Sequence, residues 1–439
     1  MPRFMVKIFQ VFALAIISFG LSIFSWILFS GNLDTSFHKS IASDIILNPP
    51  SIAIPQTLFG MHIKNLQRAP KILENIGCLR VFVPWLEIEE KNNQWNFSTL
   101  DNYVELAQES GLEVLFVFND TPKWAAARPY EVSEFPEHPG AGSEPKDMQE
   151  WRDYVRTIAT RYQGKIQSYQ VWNEANNIKD YSGSIEKLVE MAKNAYEVLK
   201  SVDPKIQVVS PGPLVGFELK GNEKYLSLGG MDWLDNYFAQ GGAKYTDVVG
   251  PHFYNNDLNP EGRLLLVNQV KTIMQKYGLQ DKPLWDTESN FGNYNNPKLE
   301  TEEINGYIAR SHILYWASGV SRFYWYAWDL DSFDGEDSLR ILEADNLNLS
   351  STGDVYKRVG NLLVGNQLEF CKNDVNQIWI CKLTNNVSDK WMVWNSKDNF
   401  SFKVPQDWEI NSIVSLSGQK TQLPADRMMT VGQSPLFFE

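Results

Sequence analysis

Along this chain, short apolar runs alternate with segments whose apolar residues recur every three or four positions. The runs are Leu58 to Ile63, Leu79 to Val83, Glu113 to Phe118, Ser168 to Trp172, Ile206 to Ser210, Asp247 to Gly250, Pro283 to Thr287 and Ser321 to Tyr326. They predict eight strands. Between them, Trp151, Tyr154, Val155, Ile158, Ala159 and Tyr162 line one face of a helix, and Leu188, Met191, Ala192, Ala195, Val198 and Leu199 repeat the spacing. Apolar strands separated by helices imply a parallel sheet covered by helices. Eight such units favour a closed (β/α)8 TIM barrel, an α/β fold, over a doubly wound sheet, since no glycine-rich phosphate loop follows the first run.

The period changes after about Gly360. Gln377 to Ile380, Lys390 to Trp394 and Phe400 to Val404 alternate at period two and are separated by Asn, Asp, Ser and Gly, which predicts a small C-terminal antiparallel β-sandwich domain. At the other end, Arg3 and Lys7 precede an uncharged run from Val11 to Phe29. That run approaches the roughly 20 residues a bilayer-spanning helix needs. No Ala-x-Ala-like site follows it, so an uncleaved signal anchor is expected, with secretion the outcome if the segment is cleaved. Positive charge before the helix would place the rest of the chain outside the cytoplasm. The expected plan is an N-terminal transmembrane helix and membrane anchor at 1–35, a tether at 36–56, the barrel at 57–359 and the β domain at 360–439.

Composition narrows the partners. A formal net charge of -13 argues against nucleic acid, whose affinity rests on Lys and Arg neutralising phosphates. Neutral or cationic substrates suit it better. The 15 Trp exceed what a core usually needs, so some are expected at a cleft. Cys78, Cys371 and Cys381 form no zinc pattern, although Cys371 and Cys381 could bridge neighbouring strands.

Two acidic positions stand out against this frame. Trp172-Asn173-Glu174 ends the fourth predicted strand and Trp285-Asp286-Thr287-Glu288 ends the seventh, on the rim where barrels build active sites. Glycoside cleavage needs two carboxyl groups across one bond, one protonated and one ionised. Either motif alone reads as a solvated loop glutamate; the pair, at strands four and seven, does not.

The segments Gln170-Val171-Trp172-Asn173-Glu174, Lys282-Pro283-Leu284-Trp285-Asp286-Thr287-Glu288 and Phe323 to Asp329 resemble the clan of retaining glycosidases with catalytic carboxylates on strands four and seven. Within it the chain is most similar to glycoside hydrolase family 39 and to membrane-anchored exopolysaccharide glycosidases, over residues 57 to 330. The resemblance implies that Glu174 is the acid/base and Glu288 the nucleophile. It further implies that Asn173 bonds the sugar 2-hydroxyl, that Arg80 keeps the nucleophile ionised, and that Tyr254 in Pro251-His252-Phe253-Tyr254 supports it. Trp328 would floor the sugar subsite, Trp124 border the cleft and His62 line its floor. Bland readings stand beside these: a structural ion pair for Arg80, a satisfied core histidine for His252, simple packing for Trp328. The chain departs from the family where Tyr169-Gln170 replaces a common Trp-Glu and Ala175 a common proline.

The function expected is retaining hydrolysis of an extracellular polysaccharide or oligosaccharide, requiring no metal or organic cofactor. A transglycosylase using the same carboxylates is one alternative. A catalytically silent, membrane-tethered glycan-binding protein is the other.

Overall fold

The computed structural model describes residues 45–66, 75–134, 136–215, 229–254, 259–291, 299–329, 340–343, 348–385 and 387–439. The expected membrane helix at 11–29 lies outside these residues, as does the whole 1–35 anchor. Among the described residues no helix is long and apolar enough to cross a membrane.

Seven parallel strands form one curled sheet, in the order Gln207–Val209, Ser168–Val171, Glu113–Phe118, Cys78–Phe82, Phe59–His62, Val320–Trp325 and Leu284–Ser289. The predicted sixth strand, Asp247 to Gly250, is too short to be a regular strand. It nevertheless joins the two sheet edges: Val248 bridges Val209, and Val249 bridges Leu284. Its backbone bonds, Ser210 N to Val248 O at 2.9 Å and Trp285 N to Val249 O at 2.9 Å, close the ring in the manner of a (β/α)8 barrel.

The helices begin where the sequence supplies caps. Asp147 accepts from Gln149 N at 2.8 Å to open Met148–Arg161, and Asn259 accepts from Gly262 N at 2.9 Å ahead of Pro260. Helix 148–161 buries Trp151, Tyr154, Val155, Ile158 and Ala159, and helix 185–202 buries Leu188, Met191, Ala192, Ala195, Val198 and Leu199, as their spacing predicts. Inside the barrel, side chains alternate inward along each strand and stack in layers. Cys78, Leu115, Val209, Val248, Trp285 and Tyr324 make an apolar floor. One layer higher the lining turns polar, with Arg80, Gln170, His252 and Thr287 all buried.

The C-terminal part contains a seven-stranded antiparallel sheet and a two-stranded one, Phe400–Lys403 with Met428–Val431. Trp391, Val393, Phe402, Val404, Trp408 and Phe438 pack between them, and Trp391 stacks on Trp408 at 4.4 Å. The other face of the large sheet carries Trp379, Cys381, Met392 and Trp394 into the same core as the barrel helices. Cys371 and Cys381 sit opposite each other on adjacent strands and are disulfide-bonded.

The segment expected as a tether is partly built into this sheet. Ile46–Leu47 forms its edge strand against Lys372 and Cys371, and Ile54 N bonds Asn366 O at 2.8 Å. Two strand residues are too few to leave a periodicity.

Candidate active site

The strand ends bring seven of the nine expected site residues to one place. Strict alternation would send Asn173 and Glu174 to opposite faces of the fourth barrel strand. Left-handed backbone at Trp172, φ 77°, and Glu174, φ 37°, breaks that alternation. Such conformations are uncommon for non-glycine residues and persist where their surroundings enforce them. Here Trp172 N donates to Phe118 O at 3.0 Å, Trp172 Nε1 to Asp180 O at 2.9 Å, and Asn177 N to Glu174 O at 2.8 Å. In the seventh strand the pairing register shifts between Asp286 and Ser289, which delivers Thr287 and Glu288 to the same mouth.

Arg80 is the hub of the site. Its Nη1 donates to Glu288 Oε2 at 2.6 Å, its Nη2 to Asn173 Oδ1 at 2.7 Å and its Nε to Gln170 Oε1 at 3.0 Å. A buried guanidinium with this planar fork holds a carboxylate and an amide in fixed directions, which a lysine could not do. On the other oxygen of Glu288, Tyr254 Oη donates to Oε1 at 3.1 Å. Burial, and then the charge of Glu288, push the Tyr254 hydroxyl well above its ordinary range, so it keeps the proton it donates.

His252 faces the other glutamate. Its Nδ1 lies 3.0 Å from Glu174 Oε1 and its Nε2 lies 3.4 Å from Arg80 Nη2. Burial lowers its pKa to about 3, so the ring is neutral. The guanidinium cannot accept a hydrogen bond, which leaves Nε2 as the acceptor and Nδ1–H as the donor to Glu174. His62, also buried and held well below its usual pKa by burial and by Arg80, sits 3.2 Å from Thr287 O.

Glu174 is pushed well above the ordinary carboxylate range, first by burial and then by the charge of Glu288, with Arg80 opposing and Glu134 adding to the rise. One carboxylate oxygen of Glu174, one of Glu288 and a ring nitrogen of His252 lie within 4.8 Å of one another. A cation could share such a trio, but Arg80 already donates to Glu288 and faces His252, so the guanidinium supplies the positive charge.

The remaining two expected residues fare differently. Trp124 is half-buried, its Nε1 donating to Glu89 O at 2.9 Å and its ring edge-on to Trp85. Trp328 is fully buried, and its backbone N–H donates to His62 O at 2.8 Å. The half-buried aromatic from that strand end is Tyr326, edge-on to His62 at 5.3 Å between ring centres.

Gln170 was visible in the sequence only as a departure from a family pattern. Its amide donates toward Ser210 O, Gly250 O and Thr287 Oγ1 at 3.1–3.2 Å while its oxygen accepts from Arg80. A carboxylate could not donate to those three. Thr287 and Asn119, whose Oδ1 accepts from Asn173 N at 3.3 Å, carried no chemical signal beforehand.

Several known proteins share this fold. A solved family 39 glycoside hydrolase from Bacteroides cellulosilyticus WH2 superposes with a TM-score of 0.68 at 16% identity, covering 89% of this chain and 82% of that one. A family 39 β-xylosidase from Caulobacter crescentus gives 0.60 at 11% identity, over 91% of this chain and 97% of that one. At these identities the likeness is one of fold. The endo-1,4-beta-xylanase A of Thermotoga neapolitana is 31% identical over 201 residues, which are 44% of this chain and only 14% of that one. This chain therefore spans a small part of the length of that relative. Residues 63–311, more than half of the chain and all but two strands of the barrel ring, match the model of glycosyl hydrolases family 39, and the chain belongs to that family.

Proposed function

We propose that this glycosidase works with retention, by double displacement, with Glu288 as nucleophile and Glu174 as acid/base. The observation that carries this reading is the approach of Glu174 and Glu288 oxygens to within 4.8 Å. Retaining enzymes hold their carboxyl groups about 5–5.5 Å apart, whereas inverting enzymes need about 6.5–9.5 Å to seat a water between them. The two environments also differ in the required sense. Glu288 is paired to Arg80 at 2.6 Å, while Glu174 is pushed toward its protonated form by burial and by Glu288.

In the first step a Glu288 oxygen bonds the anomeric carbon as the glycosidic bond breaks, and the departing oxygen takes the proton of Glu174. In the second, Glu174, now a carboxylate, takes a proton from water. The water oxygen bonds the anomeric carbon, and Glu288 leaves as a carboxylate. His252 Nδ1–H holds Glu174 in place through both steps. The Asn173 carbonyl oxygen is engaged by Arg80, so a sugar 2-hydroxyl meets the asparagine as an acceptor of its amide hydrogens.

The substrate is a polysaccharide or oligosaccharide outside the cytoplasm, with the chain anchored through its N-terminal apolar run. The Cys371–Cys381 disulfide supports an oxidising compartment. The printed names of the relatives, xylanase and β-xylosidase, make neutral β-linked glycans the first to try. Proton NMR of the first-formed sugar tests the mechanism: retention at the anomeric carbon is expected, and loss of turnover in both Glu174→Gln and Glu288→Gln. An inverted product overturns the double displacement.

A further inference from the structure

The loop that follows the third barrel strand carries two of the most exposed large apolar side chains among the described residues, Tyr130 at 79% and Val132 at 76% exposure. The loop after the fourth strand carries another, Ile178, at 50%. Apolar groups left in water singly need no explanation, but several on one rim beside a site mark a contact surface.

These two loops are stitched together. Glu134 N donates to Lys179 O at 3.1 Å, and the two side chains pair at 3.8 Å. Arg128 Nη2 donates to Ser182 Oγ at 2.9 Å, and the same hydroxyl bonds Glu131. Residues 128–134 thus run beside 178–182, which brings the segments that carry Tyr130, Val132 and Ile178 together at one edge of the barrel mouth. Lys123 Nζ sits 4.5 Å from the Tyr130 ring centre and steadies that ring.

That edge adjoins Glu174. Asn177, next to Ile178, donates its N–H to Glu174 O at 2.8 Å. The Glu134 carboxylate, two residues from Val132, is near enough to raise the pKa of Glu174. An acid that protonates the departing oxygen stands on the leaving side of the scissile bond, so a glycan continuing past that bond runs toward these loops.

We propose that Tyr130, Val132 and Ile178 form a platform for the part of a polysaccharide that leaves, so that this glycosidase acts on polymer rather than on small glycosides alone. The proposal rests on Glu174 being the acid. A tyrosine ring offers a flat apolar face to the C–H face of a sugar with a hydroxyl at its tip, which suits a wet, extended ligand. Val132 and Ile178 widen the apolar strip without adding charge, so the occupant is a neutral glycan.

The test is a triple variant, Tyr130→Ala, Val132→Ser, Ile178→Ser, on the intact chain; all three side chains point to solvent, so folding is retained. Neutral soluble polysaccharides, beginning with xylan, are compared with the 4-nitrophenyl glycoside of the same sugar, which has no glycan on the leaving side. The expected result is a fall of about tenfold or more in kcat/KM on polymer, equivalent to about 1.4 kcal/mol, with the nitrophenyl glycoside changed less than about twofold. Unchanged polymer cleavage overturns the platform. An equal fall on both substrates does so too, since it means that the loops only support Glu174. If Glu174→Gln cleaves the polymer, whose sugar leaving group needs a proton, as fast as the parent does, the acid assignment itself fails, an outcome separable from the other two.

Discussion

Arg80 Nη1 donates to Glu288 Oε2 at 2.6 Å from a side chain that is itself buried beneath the carboxylate. The pair is fixed from behind, because Nε is held by Gln170 and Nη2 by Asn173. Replacing Arg80 with Lys keeps the charge and removes the fork. We expect kcat/KM to fall about a hundredfold or more, the scale seen when a preorganised donor at a charged transition state is removed. Steady-state kinetics on any glycoside the parent cleaves will check it, and an Arg80→Lys variant with near-parent kcat/KM would mean that charge alone suffices.

In the proposed double displacement the pKa of Glu174 sets the alkaline side of the activity profile. There the protonated acid performs the first step, so kcat/KM is expected to fall as pH rises through the folded pKa of Glu174, which burial and the Glu288 charge set well above the ordinary carboxylate range. Replacing Glu288 with Gln removes that neighbouring charge, and Glu174 should then titrate lower. Carbon-13 NMR of the glutamate carboxyls, in the parent and in Glu288→Gln, measures the shift directly. A Glu174 titration unmoved by Glu288→Gln would mean that burial alone raises it.

Much of this site could be read from the chain, and the reason is local. Asn173-Glu174 and Thr287-Glu288 follow apolar runs whose positions in the count of eight place them on the catalytic rim. Alternation placed the helices equally well, because Trp151, Tyr154 and Ile158 declare a face by spacing alone. What could not be read depends on partners far away in sequence. Gln170 looks like any buried strand amide until Arg80, Ser210, Gly250 and Thr287 close around it. Trp328 matches a stacking motif, yet whether its ring is open or covered is decided by packing, and here it is covered. The edge strand Ile46–Leu47 owes its conformation entirely to Lys372 and Cys371 across the sheet.

A buried ion pair between two barrel helices, Pro260–Lys276 and Thr301–Ala317, lies where the C-terminal sheet packs. Arg310 Nη2 donates to Glu261 Oε2 at 3.0 Å with both side chains wholly buried, and Trp394 Nε1 donates to the other carboxylate oxygen at 2.6 Å. Glu261→Ala leaves the Arg310 guanidinium uncompensated in the interior and should cost about 3–5 kcal/mol. The double variant Glu261→Met, Arg310→Met removes both charges and should recover most of that loss. Denaturant unfolding of the three proteins checks the order. A double variant no more stable than Glu261→Ala would show that the hydrogen bonds from Trp394 Nε1 to Glu261 and from Arg310 Nη1 to Gln433 O, the latter at 3.1 Å, rather than charge burial, hold the sheet in place.

Gly212 sits where the amide of Gln170 and the ring of His252 meet. A Cβ at that position would lie 2.6 Å from His252 Nε2 and 2.9 Å from Gln170 Nε2. Flexible side chains can often yield to a methyl group, but these two are pinned, His252 to Glu174 and Gln170 to four partners. One of them must therefore move. If His252 moves, Glu174 loses its Nδ1–H donor; if Gln170 moves, Arg80 loses the bond that aims its fork. Overpacking of this kind costs about 1–3 kcal/mol of stability, so Gly212→Ala should still fold. Its kcat/KM should nevertheless fall by about tenfold or more, since sub-ångström errors in placing reacting groups cost more in rate than in stability. Thermal unfolding measured beside kinetics separates the two effects. A variant with lowered Tm and unchanged kcat/KM would mean that the methyl group is absorbed without disturbing either contact.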